Sequence, residues 1–294
     1  MNELEIGARF TPEDLVTSPK IVELVSCTKS TNVAYCIKEF NIEKEKSQCN
    51  IFLHNSVDKV TTQLTRAAAG VQCYNPQFIT NYGVGTINSL CFMRNGQVWN
   101  IPTSGGEAVQ LTNLPLDVGS YRVFMNEYEQ IFMLVVLDVY IDKTPQETVD
   151  EDSKKPTSSA MEFDSLMVRH WDAWDVYKKR NHLFLISLNV SDDGLLCVSP
   201  TAPLDLMKNW ESDCTGKAPG QGEEDYSVSP DGFNVSFACR GVDPTTKESY
   251  GTVTSGVVEY TYKVKTDMAW TTDTNIYTIN LPKHPSEFAK FHPV

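Results

Sequence analysis

Short runs in which apolar and polar residues alternate, separated by polar turns, make up most of the chain. The clearest lies in Asp225–Arg240. Tyr226 and Val228 lead into Ser229-Pro230-Asp231-Gly232, and Val235, Phe237 and Cys239 follow on one face. Proline presets φ near −65°, aspartate bonds its own backbone, and glycine takes the positive φ that other residues resist. The pattern predicts a β-hairpin. A second kind of strand recurs: Asn50-Ile51-Phe52-Leu53, Gln97-Val98-Trp99-Asn100-Ile101, His182-Leu183-Phe184-Leu185-Ile186 and Asn275-Ile276-Tyr277-Thr278-Ile279. Each follows a partner run: the one starting at Tyr35, Ile87–Met93, Ile131–Leu137 and Val235–Cys239. The polar residue heading these strands (Asn50, Gln97, Asn275) reads as structural, its amide satisfying backbone groups of a turn.

The first two copies are followed by Gln63-Leu64-Thr65 and Gln110-Leu111-Thr112, with Thr65 and Thr112 47 residues apart. A period of roughly 40–50 residues built from short strands is the spacing of propeller blades, each sheet needing neighbours to bury its faces. The expectation is an all-β chain. Residues 1–294 form one incomplete β-propeller of about four four-stranded blades, roughly 10–66, 67–113, 114–190 and 191–281, with an irregular tail over 282–294. Two insertions stretch the later spacings. Asp142–Ala160 is polar, has two prolines and no periodicity, and reads as a mobile surface loop; Arg240–Ser255 reads as a second exposed loop. One inserted helix is predicted over Phe163–Lys179, where Phe163, Leu166, Met167, His170, Trp171 and Trp174 recur at threes and fours.

Composition narrows the partners. A net charge of −13 without a basic stripe argues against nucleic acid and anionic membranes. The longest apolar run, Ile131–Leu137, is strand-sized. The acidic N-terminus lacks the basic and apolar regions of a signal peptide, so a cytoplasmic location is expected, or secretion if the N-terminus is incomplete. The eight cysteines form no CxxC pair and several sit inside strand-like runs, which favours buried free thiols over disulfides or zinc. No cofactor is expected. The sequons at Asn189 and Asn234 matter only in a secreted chain.

Four segments together resemble the N-terminal β-propeller of the prolyl oligopeptidase family of serine peptidases, in the branch of dipeptidyl peptidase V and the acylaminoacyl peptidases. They are Gln97-Val98-Trp99 with Gly105-Gly106-Glu107-Ala108 and Gln110-Leu111-Thr112; Arg169-His170-Trp171-Asp172-Ala173-Trp174 with His182-Leu183-Phe184; Glu224-Asp225-Tyr226 through Gly232; and Trp270-Thr271-Thr272-Asp273 before Ile276-Tyr277. The likeness covers roughly residues 10–281. It implies a propeller that caps a separate α/β-hydrolase domain with a Ser-Asp-His triad. No such domain is expected in this chain: the G-x-S-x-G elbow is absent, and none of His54, His170, His182, His284 and His292 pairs with a plausible nucleophile.

Two features fit a role beside a partner active site. Arg169, His170, Trp171, Asp172 and Trp174 could hold a peptide terminus and an apolar side chain together; alternatively the indoles pack the insertion down and the charges face solvent. Glu223 and Glu224 could hold a substrate ammonium, as a glutamate pair does in the dipeptidyl peptidase IV branch; an acidic run entering a strand is otherwise simply solvated. The expected function is the substrate-gating portion of a peptidase acting on short peptides, without catalytic residues of its own. The alternative is a stand-alone propeller-like protein-binding module. Partners follow: peptide through a hydrolase domain elsewhere, and a second copy of the chain, since incomplete stacking leaves apolar sheet faces open.

Overall fold

The computed structural model describes residues 11–28, 30–79, 89–154, 169–170, 173–174, 179–191, 194–208, 210, 213–214, 226–240, 262–264 and 274–281. These are mostly β-strand, with two short helices, and fall in two compact units that divide between Gln110 and Leu111. Among them no helix is long and apolar enough to cross a membrane.

The first unit opens with α1 (Pro12–Thr17), held by a capping box between Thr11 and Asp14. A four-stranded antiparallel sheet follows in chain order: β1 (Lys20–Ser26), β2 (Asn32–Asn41), β3 (Lys46–Asn55) and β4 (Val60–Gln63). The second sheet is β5 (Cys73–Ile79), β6 (Ser89–Arg94), β7 (Gln97–Pro102) and β8 (Val109–Gln110). Strands β6 and β7 meet through Asn95-Gly96, both at positive φ (50° and 69°), which matches the right-handed strand twist of a two-residue hairpin. Alternation decides the core. Ala34, Cys36, Ile51 and Leu53 of one sheet cluster with Cys73, Leu90, Phe92 and Ile101 of the other. The outward residues of β1 remain exposed, Ile21 and Leu24 at 65% and 67%.

The second unit holds a sheet ordered β14-β13-β10-β9, made of β9 (Tyr121–Met125), β10 (Ile131–Tyr140), β13 (Lys179–Val190) and β14 (Leu196–Val198). Strand β15 (Leu204–Asp205) pairs β13 beyond β14. Between β10 and β13 lie α2 (Pro145–Ser153) and a two-stranded ladder of β11 (Arg169–His170) with β12 (Ala173–Trp174). The last sheet is ordered β16-β17-β19-β18: β16 (Tyr226–Val228), β17 (Asn234–Arg240), β18 (Tyr262–Val264) and β19 (Thr274–Asn280). Strand β18 precedes β19 in the chain yet lies outside it, so an excursion fills the outer edge.

The recurring strands take equivalent places. Asn50, Gln97, His182 and Asn275 lie on β3, β7, β13 and β19, the third position of each sheet. Between the sheets of the second unit, Phe132, Leu134, Val136, Leu183 and Leu185 pack with Tyr226, Val235 and Phe237. Trp210 packs against Phe237 in a tilted pair with ring centroids 5.7 Å apart.

Two local expectations are corrected. The helix over Phe163–Lys179 is not found where that stretch is described. Residues 169–170 and 173–174 pair as antiparallel strands, and Lys179 begins β13. Aromatic residues favour strands, and their spacing at threes and fours outweighed that preference in the sequence reading. Conversely, the expected surface loop contains α2. Thr144 and Glu147 form a reciprocal capping box with proline at the helix start, so a terminus signal specified this helix where hydrophobic periodicity could not. Asp152 then joins both ends of the insertion: Tyr140 Oη donates to it at 3.0 Å and Lys179 Nζ at 2.5 Å. Tyr140 and Lys179 are themselves register partners.

Candidate functional site

Of the residues singled out in the sequence, Arg169, His170 and Trp174 lie on the β11–β12 ladder, where Arg169 pairs with Trp174. Trp171, Asp172, Glu223 and Glu224 lie outside the described residues. For Arg169, His170 and Trp174 the structure describes the backbone pairing alone. The arrangement that does emerge lies at edge strands of the second unit's two larger sheets.

Strands β9 and β16 each end a sheet, and residues on or flanking them meet at two points. At one end Ser120 Oγ and Tyr226 Oη are 3.3 Å apart, both residues buried. At the other, Glu127 N donates to the Asp231 carbonyl at 3.1 Å. There the Ser-Pro-Asp-Gly turn closes through Gly232 N to Ser229 O at 2.9 Å. Gly232 has φ +74°, and a Cβ on it would stand 2.6 Å from Asn126 Cα. The Asp231 carboxylate accepts from the Ser229 hydroxyl and from Phe233 N, which hold its pKa below the usual carboxylate range.

Midway, Arg122 on β9 lies opposite Leu134 and so faces the same core layer. Its guanidinium carbon sits over the Tyr226 ring, 5.6 Å from the centroid. Elsewhere in this unit four cations find carboxylates: Lys143 and Lys154 meet Glu151, Lys179 meets Asp152, and Arg180 meets Asp213. Among the described residues no carboxylate pairs with Arg122. Sequence reading missed it because nothing in the local pattern distinguishes it; the signal is the missing counter-ion, visible only in three dimensions.

The two histidines with described side chains serve the fold. His182, fully buried, reaches the Asp205 carboxylate through Nδ1 and the Trp210 carbonyl through Nε2, each at 3.0 Å. It fastens the 204–214 segment to β13 much as Asn50 Oδ1 accepts from Ala67 N in the first sheet. His54 Nδ1 meets Thr61 Oγ1 at 2.9 Å. Neither ring faces a serine or cysteine. Cys27, Cys36, Cys49, Cys73, Cys91, Cys197 and Cys214 are free thiols, all buried except Cys197. Cys36 Sγ donates to Glu23 Oε2 at 3.4 Å; the neighbouring Cys49 thiol, burial and the Glu23 charge push the Cys36 thiol up, and burial alone pushes Cys91 up. No group of three or more His, Cys, Asp or Glu placed to hold a metal occurs among the described residues.

The comparisons with known proteins agree with the motifs. The chain is 24% identical over 237 residues to a Dipeptidyl-peptidase 5 of Porphyromonas endodontalis, covering 80% of this chain and 31% of that protein. It is 27% identical over 246 residues to a Dipeptidyl-peptidase 5 of Arthroderma otae, covering 79% and 31%. The chain is thus similar over about four-fifths of its length to members of the prolyl oligopeptidase family. The likeness to Dipeptidyl-peptidase 5 is the one the four segments implied. It spans about a third of the length of the curated relatives it matches. No protein-family model matches. Among solved structures, an acylaminoacyl peptidase of Pyrococcus horikoshii aligns with a TM-score of 0.47 at 12% identity, over 81% of this chain and 30% of that one.

Proposed function

We propose that this chain is the substrate-gating portion of a serine peptidase that hydrolyses short peptides. Its four sheets are consecutive blades of an incomplete propeller, and the Ser-Asp-His machinery belongs to polypeptide outside this sequence. The observation that carries the reading is the extent of the match: four-fifths of the chain aligns with under a third of each Dipeptidyl-peptidase 5. The succession of strand meanders and the lack of a histidine–nucleophile pair among the described residues support it. A gate contributes exclusion and orientation, not bond-breaking. On this reading Arg169, His170, Trp171, Asp172 and Trp174, with Glu223 and Glu224, face the peptide's path.

The test is capture. The immobilised chain is incubated with extract of the source cells, and bound proteins are labelled with a fluorophosphonate. Recovery of a labelled serine hydrolase, or of a longer product of the same gene that labels, is expected. Recovery of unlabelled proteins alone, together with a gene that encodes no downstream G-x-S-x-G, refutes the proposal.

A further inference from the structure

We propose that Arg122, stacked on Tyr226, is a binding subsite for a peptide carboxylate. The inference rests on the gating function above and names one substrate group that the gate recognises.

The argument starts from charge. The chain carries 38 acidic residues against 25 basic ones, yet no carboxylate of a described residue forms an ion pair with Arg122. Four other cations of the same unit are paired, whereas the contact made by Arg122 is an aromatic ring. It is half-buried on the same face as Leu134, at the rim of a closed apolar layer. Stacking on an aromatic face fixes the guanidinium plane and strips part of its water, while its edge donors keep their fork geometry. Such a fork fits a carboxylate, with two parallel N–H···O bonds.

Position supports the same ligand. Arg122 lies on β9 and Tyr226 on β16, the terminal strands of their sheets, so the pair sits at sheet edges rather than inside a ladder. Ser120 and Tyr226 place two hydroxyls beside each other at 3.3 Å, and a hydroxyl can turn its proton toward an anion or a neighbour. Arg94, over Trp99 at 5.0 Å, has the same stacking but buries its Nε without an acceptor, a donor no solute reaches. Arg122 is thus the stacked arginine suited to a ligand.

Two sources share this chemistry: the C-terminal carboxylate of a peptide and an acidic side chain within one. Calorimetric titration of the 294-residue chain with three probes separates them: acetyl-Ala-Ala-Ala as the free acid, the same peptide as its amide, and acetyl-Glu-Ala-Ala amide. One carboxylate probe is expected to bind at least tenfold more tightly than the neutral amide, and the stronger one identifies the source. Arg122→Gln is expected to abolish that difference, and Arg122→Lys to reduce it, because the charge remains but the planar fork is lost. Circular dichroism melts show whether each variant is folded. Should Arg122→Gln not fold, the lysine variant carries the test. Equal binding of all three probes, no binding of either acid, or a preference that survives substitution overturns the subsite. None of these outcomes depends on recovering a hydrolase, so the gating function stands or falls separately.

Discussion

Replacing Gly232 with alanine tests whether the Ser-Pro-Asp-Gly turn is built against its neighbour or merely needs a flexible backbone. Two terms act at this position. At φ +74° an L-residue sits in the left-handed region, which costs about 1–2 kcal/mol. The added Cβ would also meet Asn126 Cα at 2.6 Å, Asn126 Cβ at 2.9 Å and the Met125 carbonyl oxygen at 2.9 Å. Two of these are backbone atoms, so β9 or the turn must move, and overpacking of this kind costs about 1–3 kcal/mol. The expected total is about 3 kcal/mol. Gly194 supplies the control in the same unit: its φ is +76°, and nothing lies within 4 Å of a Cβ there. Gly194→Ala should therefore show the backbone term alone, about 1 kcal/mol. Urea denaturation followed by tryptophan fluorescence suits the comparison, because Trp210 packs against Phe237 beside this unit's core. If the two variants lose the same stability, the close approach of turn and strand contributes nothing and the reasoning is wrong.

Two further outcomes are expected. Asp152→Asn removes the carboxylate that receives both Tyr140 and the nearly buried Lys179; a loss of about 1–3 kcal/mol, with faster amide exchange at Tyr140 and Lys179, is the measurable result, and unchanged exchange refutes the clasp. Acid acts on Asp231: its folded-state pKa is lowered by the Ser229 hydroxyl and then the Phe233 amide, so its stabilisation is present above the unfolded value near 4 and fades as pH falls through the lower folded value. Stability measured between about pH 5 and pH 2 should fall less steeply in Asp231→Asn than in the native chain, and equal slopes refute the assignment.

Much of the β architecture was legible because strands with one buried face must alternate. The Tyr226–Val228 and Val235–Phe237 runs pair in register across their turn, and the strands headed by Asn50, Gln97, His182 and Asn275 fall at one place in successive sheets. What escaped had physical reasons. Helix α2 has no apolar stripe, so only its Thr144–Glu147 cap betrays it. The tryptophan-rich stretch fits helical and extended spacing alike, and strand pairing decided the part at Arg169–Trp174. Strand β18 could not be foreseen as an outer edge, since it pairs with a strand that follows it. Of the candidate site, motifs pointed to Arg169–Trp174 and Glu223-Glu224. Arg122 carries no motif, and its interest comes from a ring beneath it and no acid beside it.

The two long excursions leave from the same point in their sheets, after the second strand, and this sets an order of assembly. In the first unit, four residues separate Asn41 from its partner Lys46, and two separate Arg94 from Gln97. In the second, 38 residues separate Tyr140 from Lys179 and 33 separate Arg240 from Thr274. Loop-closure entropy grows as about (3/2)RT ln n, so going from four residues to 38 adds about 2 kcal/mol before any central contact forms. The first unit's hairpins can zip early, while the middle pairs of the later sheets wait on long closures that slow folding. Asp152, tied to both ends of one excursion, stabilises that closure once it is made and so acts on the lifetime of the folded sheet more than on the speed of reaching it.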